Sequence, residues 1–409
     1  MTSTFRTYRS FAVVASFILL ALMASSTPTP LYSIYAAKWH FSALAVTEVY
    51  AVYAISVLVA LLLTGGLSDL IGRKPVIVTA LSGLIGAEFV FMLAGGLDWL
   101  YVARTIQGLA TGLLLGATGA ALIDQHPRRD GAQAGLVNGI ASASGIGLGA
   151  LVSALLVQYA GHPEVVPYVF IATLVALAIW AASRLPETVD TSGSRFTLTP
   201  RVPRVPRSLW RTFGLSALGV LASWSVGGLY LSLGPSIVGN LFDTANHAVG
   251  GAFVFGFCLC AAVTQLALRD AANRTTLVGG GAALAVGSVI TAVGVSSGST
   301  AAFLIGSVLV GFGFGAAFMG ALRSLSAVLP PHHRASVMSA FFVVAYAAIS
   351  IPAIGAGVAA VHIGLDSAAT WFGIAVAVVA ALVAVIGWFE LRPAREHEAK
   401  PDAVLQRAA

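Results

Sequence analysis

Long apolar stretches, each followed by a short polar break, recur along the entire chain. A helix of roughly 18 to 25 apolar residues is long enough to cross a hydrocarbon layer of about 30 Å, and each stretch reaches that length. The breaks contain charged residues or clusters of glycine and proline. They delimit twelve predicted helices, over residues 11–36, 43–67, 75–95, 99–124, 132–160, 166–184, 209–240, 247–268, 275–296, 301–328, 335–363 and 368–390. The pattern therefore predicts an all-α integral membrane protein.

The composition agrees with a protein that lies in lipid. Of 409 residues, 58% are hydrophobic and 9% are charged, and the mean hydropathy is +0.90. Soluble domains carry about 25% charged residues, so most of this surface cannot face water. Cys258 and Cys260 lie two positions apart on one predicted helix, where their side chains point in different directions, and no disulfide is expected between them.

The basic residues are distributed unevenly between the two sides of the predicted bundle. The net charge is +6, and every Lys and Arg except Lys38, Arg104 and Arg323 falls in the loops, helix ends or termini of one side. This asymmetry is the positive-inside pattern, which places those loops and both termini in the cytoplasm. We therefore expect a multi-pass protein of a bacterial cytoplasmic (inner) membrane, surrounded by a lipid bilayer and without a nucleic-acid partner.

One polar break is much longer than the others and divides the chain in two. Residues 185–208 are rich in proline and carry four arginines, which is typical of a linker. The predicted organisation is a six-helix half over 1–184, the linker, a second six-helix half over 209–390 and a tail over 391–409. Similar residues recur in both halves at a shift of 201 to 205 positions: Asp69 and Arg73 with Asp270 and Arg274, Pro30 with Pro235, and Arg129 with Arg334. This repetition favours duplication of a six-helix unit.

The break between the second and third helices is unusually dense in charge and glycine. Its sequence, GGLSDLIGRK, contains Gly65, Asp69, Gly72, Arg73 and Lys74. A tight turn between antiparallel helices needs a residue with left-handed backbone geometry, which Gly72 provides, and Gly65 permits close approach of a neighbouring helix. Asp69 is suited to accept hydrogen bonds from a helix N-terminus.

This loop resembles the signature between the second and third helices of the major facilitator superfamily. YVARTIQGLATG, from Tyr101 to Gly112, and LPET after the sixth helix are similar to further motifs of that family. The resemblance implies a fold of twelve helices in two pseudo-symmetric six-helix bundles, and a secondary transporter rather than an enzyme. It also implies that Asp69 holds the N-terminus of the eleventh helix, near Ala335, and that Arg73 pairs with Asp124. The loop residues and Asp124 are therefore candidate gating residues.

Few charged residues lie within the predicted helices, where each costs roughly 2.5–3.5 kcal/mol at the bilayer centre. Glu48 and Arg104 lie at similar depth in one half, so they are expected to face each other. Such a pair can couple proton movement to transport, or it can be a static ion pair. Glu88 lies on the third helix, which the family resemblance places at the periphery, and a structural position or one at the lipid interface is expected for it.

The family resemblance places the first, fourth, seventh and tenth helices around a central binding site. Polar and aromatic residues on these helices, together with one residue each from the fifth and eleventh, are the candidate substrate-binding residues: Thr27, Tyr32, Gln107, Asn138, Trp224, Tyr230, Phe318 and Tyr346. Aromatic side chains are the largest group among them, which favours an apolar or amphipathic ligand. The fifth helix resembles the glycine- and proline-rich motif of family exporters but lacks its proline, so it favours export only slightly.

No catalytic or metal-binding pattern is present in the sequence. The eight histidines lack metal-ligand spacing, and the Gly-Lys-Ser/Thr of a phosphate-binding loop is absent, so no metal, no other cofactor and no ATP-driven step is expected. The leading hypothesis is export of a small hydrophobic or amphipathic compound by proton antiport, with the substrate, protons and lipid as partners of a monomeric chain. The alternatives are proton-coupled uptake of a small organic anion, with Arg104 as its counter-ion, and a membrane receptor that does not transport.

Overall fold

The protein is a bundle of helices. The computed structural model describes residues 2–126, 128, 130–189, 203–330 and 333–391, and within these residues it contains no strand. The α-helices are α1 Thr2–Ser26, α2 Tyr32–Trp39, α3 Ala43–Thr64, α4 Leu67–Ile71, α5 Arg73–Met92, α6 Leu97–Gln125, α7 Gly131–Tyr159, α8 Val166–Ser183, α9 Trp210–Ser232, α10 Gly234–Leu241, α11 His247–Ala267, α12 Asn273–Ser297, α13 Thr300–Ala327, α14 Arg334–Ile363 and α15 Leu365–Glu390. The predicted all-α fold class is therefore confirmed.

Twelve spans in the described part of the chain are long and apolar enough to cross a membrane, which confirms the predicted number. The first span, Tyr8–Trp39, combines α1 and α2, and each of the other spans is built on one long helix. The short helices α4 and α10 lie outside the spans. Cys258 and Cys260 on α11 are both free, as the sequence predicts.

Prolines interrupt the helices at corresponding places in the two halves. Pro28 and Pro30 lie at the break between α1 and α2, and Pro235 lies at the start of α10, directly after α9 ends. Proline lacks the backbone N–H that a helix interior requires, so the helix is interrupted there. The helices predicted over 11–36 and 209–240 are therefore each divided in two.

The connections between helices lie at two ends of the bundle. The end named here the basic end contains the α3–α5, α6–α7, α11–α12 and α13–α14 connections, together with the end of α8 and the start of α9. The opposite end contains the other connections between neighbouring spans. Residues 190–202 of the predicted linker, residues 392–409 of the predicted tail, and Arg129 lie outside the described residues. The limits of the linker and the tail thus stay predictions.

The helices form two halves that meet along two pairs of helices. Most contacts of α1–α8 are with one another, as are most contacts of α9–α15, while α3 packs against α14 and α7 packs against α11 across the boundary. Each half has its own cluster of buried apolar residues, and a third cluster toward the opposite end contains residues from both halves. Two cores joined by helix contacts are the arrangement that a rocking motion requires.

Glycine makes the close approach of α7 and α11 possible. A Cβ atom added to Gly251 of α11 would lie 2.3 Å from the Cβ atom of Ala154 and 2.8 Å from the carbonyl oxygen of Ala150, both in α7. Such distances are too short for non-bonded atoms, so the two helices would have to separate. Because this contact lies near the opposite end, it helps to hold the halves together there.

We expect Gly251→Ala to destabilise the protein by about 1–3 kcal/mol, the usual effect of overpacking. Gly256→Ala is the matched control, because Gly256 lies on the same helix and a Cβ atom there would meet nothing within 4 Å. Both replacements add the same helix propensity, so the difference between their thermal-unfolding midpoints in detergent isolates the contact. Equal midpoints for the two variants would show that α7 and α11 do not pack in this way.

Candidate functional site

The turn between α4 and α5 depends on Gly72. Its φ of +98° lies in the region that favours glycine, and an added Cβ atom would lie 2.5 Å from Oε2 of Glu187. Gly65, which follows α3, has an ordinary right-handed φ of −59°. The conformational requirement of this loop is therefore at Gly72.

Arg73 is the centre of an ion-pair network beside this turn. Its Nη1 atom lies 2.6 Å from Oδ1 of Asp69 and donates to Oγ of Ser68 at 2.6 Å, and its Nε atom lies 3.1 Å from Oδ2 of Asp124. The structure thus brings Arg73 and Asp124 together. This contact ties the start of α5 to the end of α6.

Asp69 pairs within its own turn. Its side chain is 57% exposed, and its ion-pair partner in the described part of the chain is Arg73. Because Arg73 lies only four residues further along, it takes the carboxylate locally. The contact expected between Asp69 and the start of α14 involves Ala335, whose side chain lies outside the described part of the chain, so that contact stays a prediction.

Glu187 caps this turn and was not singled out from the sequence. Its carboxylate accepts from the backbone N–H groups of Arg73 at 2.9 Å and Lys74 at 3.0 Å, and from those of Thr188 and Val189. Partial burial alone would raise the pKa of Glu187, but these four donors outweigh it and hold the pKa below its ordinary value of 4.5. The LPET stretch that contains this residue is the signal that pointed to it.

The corresponding turn in the second half is built differently. Asp270 pairs with its neighbour Arg269 at 3.1 Å, and the guanidinium of Arg274 lies over the ring of Trp388, 4.0 Å from its centroid. The second half therefore has a cation–π contact where the first half has an ion-pair network.

Arg104 is buried in the first half, with 0% of its surface exposed. Its Nε and Nη2 atoms donate to the hydroxyl of Tyr32, the former at 2.8 Å, and its Nη1 atom donates to the carbonyl of Ser25 at 2.7 Å and to Oε1 of Gln107 at 2.6 Å. Three aromatic rings lie with their centroids 5.1 to 5.8 Å from its guanidinium carbon. Since Ser25 lies at the end of α1 and Tyr32 begins α2, one guanidinium bridges the break in the first span.

The structure does not bring Glu48 and Arg104 together. Oε2 of Glu48 accepts a hydrogen bond from the hydroxyl of Tyr101 at 2.9 Å, whereas the donors of Arg104 are directed to other groups. Similar depth along two helices does not decide which sides of those helices face each other. The expected pair of Glu48 and Arg104 is therefore corrected.

Glu88 lies inside the first half. Its side chain is 0% exposed, Oε1 accepts from Nε2 of Gln107 at 3.3 Å, and Oε2 has no hydrogen-bond partner among the described residues. The same Nε2 atom donates to the carbonyl of Ala24 at 3.0 Å. Gln107 thus links the Glu88 carboxyl, the Arg104 guanidinium and the backbone of α1. The expectation of a position at the lipid interface was wrong, because α5 turns this face toward α6.

Three candidate substrate-binding residues form one aromatic cluster between the halves. The ring of Trp224 lies 5.4 Å from the rings of Phe318 and of Tyr346, measured between centroids. Tyr53 of α3 is buried together with Tyr346 and supplies a wall from the first half. These four residues, named here the Trp224 cluster, lie near the middle of their helices and therefore at mid-depth. The indole N–H of Trp224 is buried and has no hydrogen-bond partner in the described part of the chain.

The other candidate residues are placed elsewhere. Thr27 donates within its own helix region, and Tyr230 shares a hydrogen bond within the second half. Tyr32 and Gln107 belong to the surroundings of Arg104, and Asn138 lies partly buried on α7. No described hydrogen bond or ring contact joins these five residues to the Trp224 cluster.

A cavity of about 840 Å³ opens at the opposite end, between the halves. Its lining comes from the break between α1 and α2 on one side and from α10, the start of α11 and the start of α15 on the other. Asp243 and Asp366 are among the lining residues, and neither lysine nor arginine is. Such a lining favours neutral or cationic solutes over anions.

We expect Glu187→Gln to weaken the turn at neutral pH, because an amide replaces a carboxylate that accepts from four backbone N–H groups. The loss should be a few tenths to about 1 kcal/mol, since water screens this exposed site. With the pKa of Glu187 held below its ordinary value, its contribution is complete above about pH 4.5 and is lost as the pH falls through the folded pKa. Thermal unfolding in detergent should therefore show the variant and the wild type converging in acid.

Glu164→Gln is the control for this prediction. It removes a carboxylate that pairs with Lys38 at 2.7 Å on the surface. An exposed pair of this kind contributes about 0–1 kcal/mol and has no backbone donors to lose. A difference between Glu187→Gln and the wild type that stayed constant with pH would contradict the capping role.

The chain matches a known family and several known proteins. The family model described as Major Facilitator Superfamily matches residues 14–351. Among curated proteins, the chain is similar to triacylglyceride transporter Rv1410c of Mycobacterium tuberculosis (strain ATCC 25618 / H37Rv), with 35% identity over 105 residues, and to a triacylglyceride transporter of Mycolicibacterium smegmatis, with 31% identity over 143 residues. It is also similar to multidrug transporter QDR2 of Candida glabrata, with 27% identity over 184 residues. The match to the M. tuberculosis protein covers 25% of this chain and 20% of that protein, and the match to the M. smegmatis protein covers 34% and 25%. The match to QDR2 covers 45% of this chain and 31% of that protein, so each match spans less than a third of the relative.

A solved structure has the same fold. The human organic anion transporter MFSD10 (TETRAN) superposes with a TM-score of 0.67 over 92% of this chain and 99% of that chain, at 17% identity. Identity at this level supports a shared fold and nothing finer. Together with twelve membrane spans and a family model that covers most of the sequence, it leads to one conclusion: the chain belongs to the major facilitator superfamily of membrane transporters.

Proposed function

We propose that the protein exports a small hydrophobic or amphipathic compound in exchange for protons, by rocking of its two halves about a midplane site. The observation that carries this proposal is the Trp224 cluster. It lies at mid-depth between the halves and presents flat aromatic faces together with one unpartnered indole N–H. An apolar ligand with one hydrogen-bond acceptor fits these features.

The orientation of the bundle supports the proposed direction of transport. The positive-inside rule supports placing the basic end, and with it both termini, in the cytoplasm of a bacterial inner membrane. The 840 Å³ cavity at the opposite end then faces outward, as a state that releases a compound to the outside requires. Both halves lie in one chain, which supports a monomer as the working unit.

The surroundings of Arg104 argue against the uptake of an organic anion. Its guanidinium is 0% exposed, and its nitrogen atoms donate to Tyr32, Ser25 and Gln107, so it is not available as a counter-ion in this conformation. The carboxylates in the cavity, at Asp243 and Asp366, would also repel an anion. Two kinds of curated relative, named as multidrug and triacylglyceride transporters, favour a hydrophobic compound.

We expect Trp224→Ala to lower the export of ethidium, a flat hydrophobic cation, by about two- to tenfold, because an aromatic contact contributes roughly 0.5–1.5 kcal/mol beyond the area it buries. The measurement is ethidium movement across proteoliposomes with an imposed pH gradient. Trp224→Phe keeps the flat face but removes the indole N–H, so it should retain more export than Trp224→Ala. Trp371→Ala is the matched control, since Trp371 is 65% exposed on the outside of α15.

Three outcomes would contradict the proposal. Equal export by Trp224→Ala and Trp371→Ala would remove the cluster from the substrate site. Gradient-driven uptake of a carboxylated dye such as carboxyfluorescein, without movement of ethidium, would favour the organic-anion alternative. Binding of ethidium by the wild type without any flux would favour a receptor.

A further inference from the structure

We propose that Glu88 carries the coupled proton, and that its charged form competes with α1 for Arg104. The inference rests on the proposed proton antiport and assigns the residue that performs it. The sequence marks Glu88 as one of few charged residues within the helices but assigns it no part in transport, because α5 was expected at the periphery.

The burial of Glu88 is the first observation. It is the only carboxyl group among the buried side chains of the described residues. No ion pair of Glu88 is present in the described part of the chain, and its two oxygens meet one neutral amide, that of Gln107 at 3.3 Å, and no further donor. A charged carboxylate would be strongly unfavourable in these surroundings, so they fit a protonated carboxyl.

The neighbours of Glu88 are the second observation. From α6, Gln107 donates to the Glu88 carboxyl through its Nε2 atom, and its Oε1 atom accepts from Arg104, the cation of this region. From α8, the ring of Tyr168 stacks at 4.9 Å between centroids on Phe91, which lies one turn along α5 from Glu88, and Tyr35 of α2 is hydrogen-bonded to the Tyr168 hydroxyl. From α1, Ala24 contributes a backbone carbonyl that accepts from the same Gln107 amide and does not titrate.

The two tyrosines lie toward the opposite end. Their hydroxyls share a buried hydrogen bond of 3.1 Å. Neither hydroxyl has a described hydrogen bond to Glu88, and Glu164, the surface carboxylate of that end, is paired with Lys38.

Arg104 connects the proton to the helices. With Glu88 protonated, its guanidinium is held by the Ser25 carbonyl and the Tyr32 hydroxyl, on the two sides of the break in the first span. When Glu88 releases the proton, the new carboxylate attracts Arg104 and weakens this bridge. Because Pro30 of the break lines the outward cavity, a change at the bridge alters the cavity wall. Each cycle moves one proton on and off Glu88 and transfers no electrons.

Infrared difference spectroscopy of the full-length protein in lipid nanodiscs tests the protonation directly. Near neutral pH, the wild type should show the carbonyl-stretch band of a protonated carboxyl, which disappears when the pH is raised. Glu88→Gln should abolish this band. Glu390→Gln, a matched replacement of a surface carboxylate that pairs with Arg211 at 3.3 Å, should leave it unchanged.

Ethidium flux in proteoliposomes tests the coupling. Glu88→Gln should lose at least tenfold of the export driven by a pH gradient but keep exchange of ethidium for ethidium without a gradient. Glu88→Asp keeps a carboxyl, so it should retain gradient-driven export with a shifted pH dependence, which a merely structural role would not produce. If the wild type does not move ethidium, the proposed export fails for this probe, and the infrared band still decides the role of Glu88.

Other results would overturn the inference. An unchanged infrared band in Glu88→Gln would show that Glu88 is not the protonated group. Loss of the band in Glu48→Gln instead would transfer the role to Glu48. If Glu88→Gln does not fold, Glu88→Asp supplies the test, and an unshifted titration of its band would also contradict the inference.

Discussion

The bridge that Arg104 makes across the break in the first span is the interaction on which the rest of the first half depends. Residue 28 is proline, so the carbonyl of Ala24 loses the N–H partner four residues later that a continuous helix would supply. The amide of Gln107 donates to that carbonyl, and Arg104 donates to the next one, at Ser25. A planar guanidinium with donors in several directions can hold the Tyr32 hydroxyl at the same time. The break in α1 and the polar groups of α6 are thus parts of one unit.

The sequence predicted the architecture well because hydrophobic length and turn chemistry are local properties. Twelve spans and the left-handed turn at Gly72 each follow from a few neighbouring residues. The divisions at Pro28 and Pro235 were not predicted, because a hydrophobic stretch has the same length whether or not its helix is interrupted. The family resemblance led to Trp224, Phe318 and Tyr346 as candidate binding residues. The structure adds that the ring of Trp224 contacts the other two rings.

What the sequence could not supply was the rotation of each helix about its axis. Depth in the membrane can be estimated from a residue's number, and on that basis Glu48 and Arg104 looked like partners. Only the packing of α5 on α6 turns Glu88 inward to Gln107. Glu187 was hidden for a related reason, because it lies 114 positions from the N–H group of Arg73 that it caps. Contacts over such separations leave no periodic signal in a single chain.

The turns at Arg73 and Arg274 occupy corresponding places in the two halves but are stabilised by different interactions, so they respond differently to their surroundings. The turn at Arg73 is held by an ion-pair network in which Asp69 is 57% exposed, and added salt weakens exposed ion pairs. The turn at Arg274 relies on the ring of Trp388, which is 51% exposed on the outside of the bundle where lipid lies. The exposed pair of Arg269 and Asp270 lies beside it, so salt acts on both turns, whereas the surrounding headgroups act mainly on the second. A change in membrane composition would therefore affect the second half more than the first.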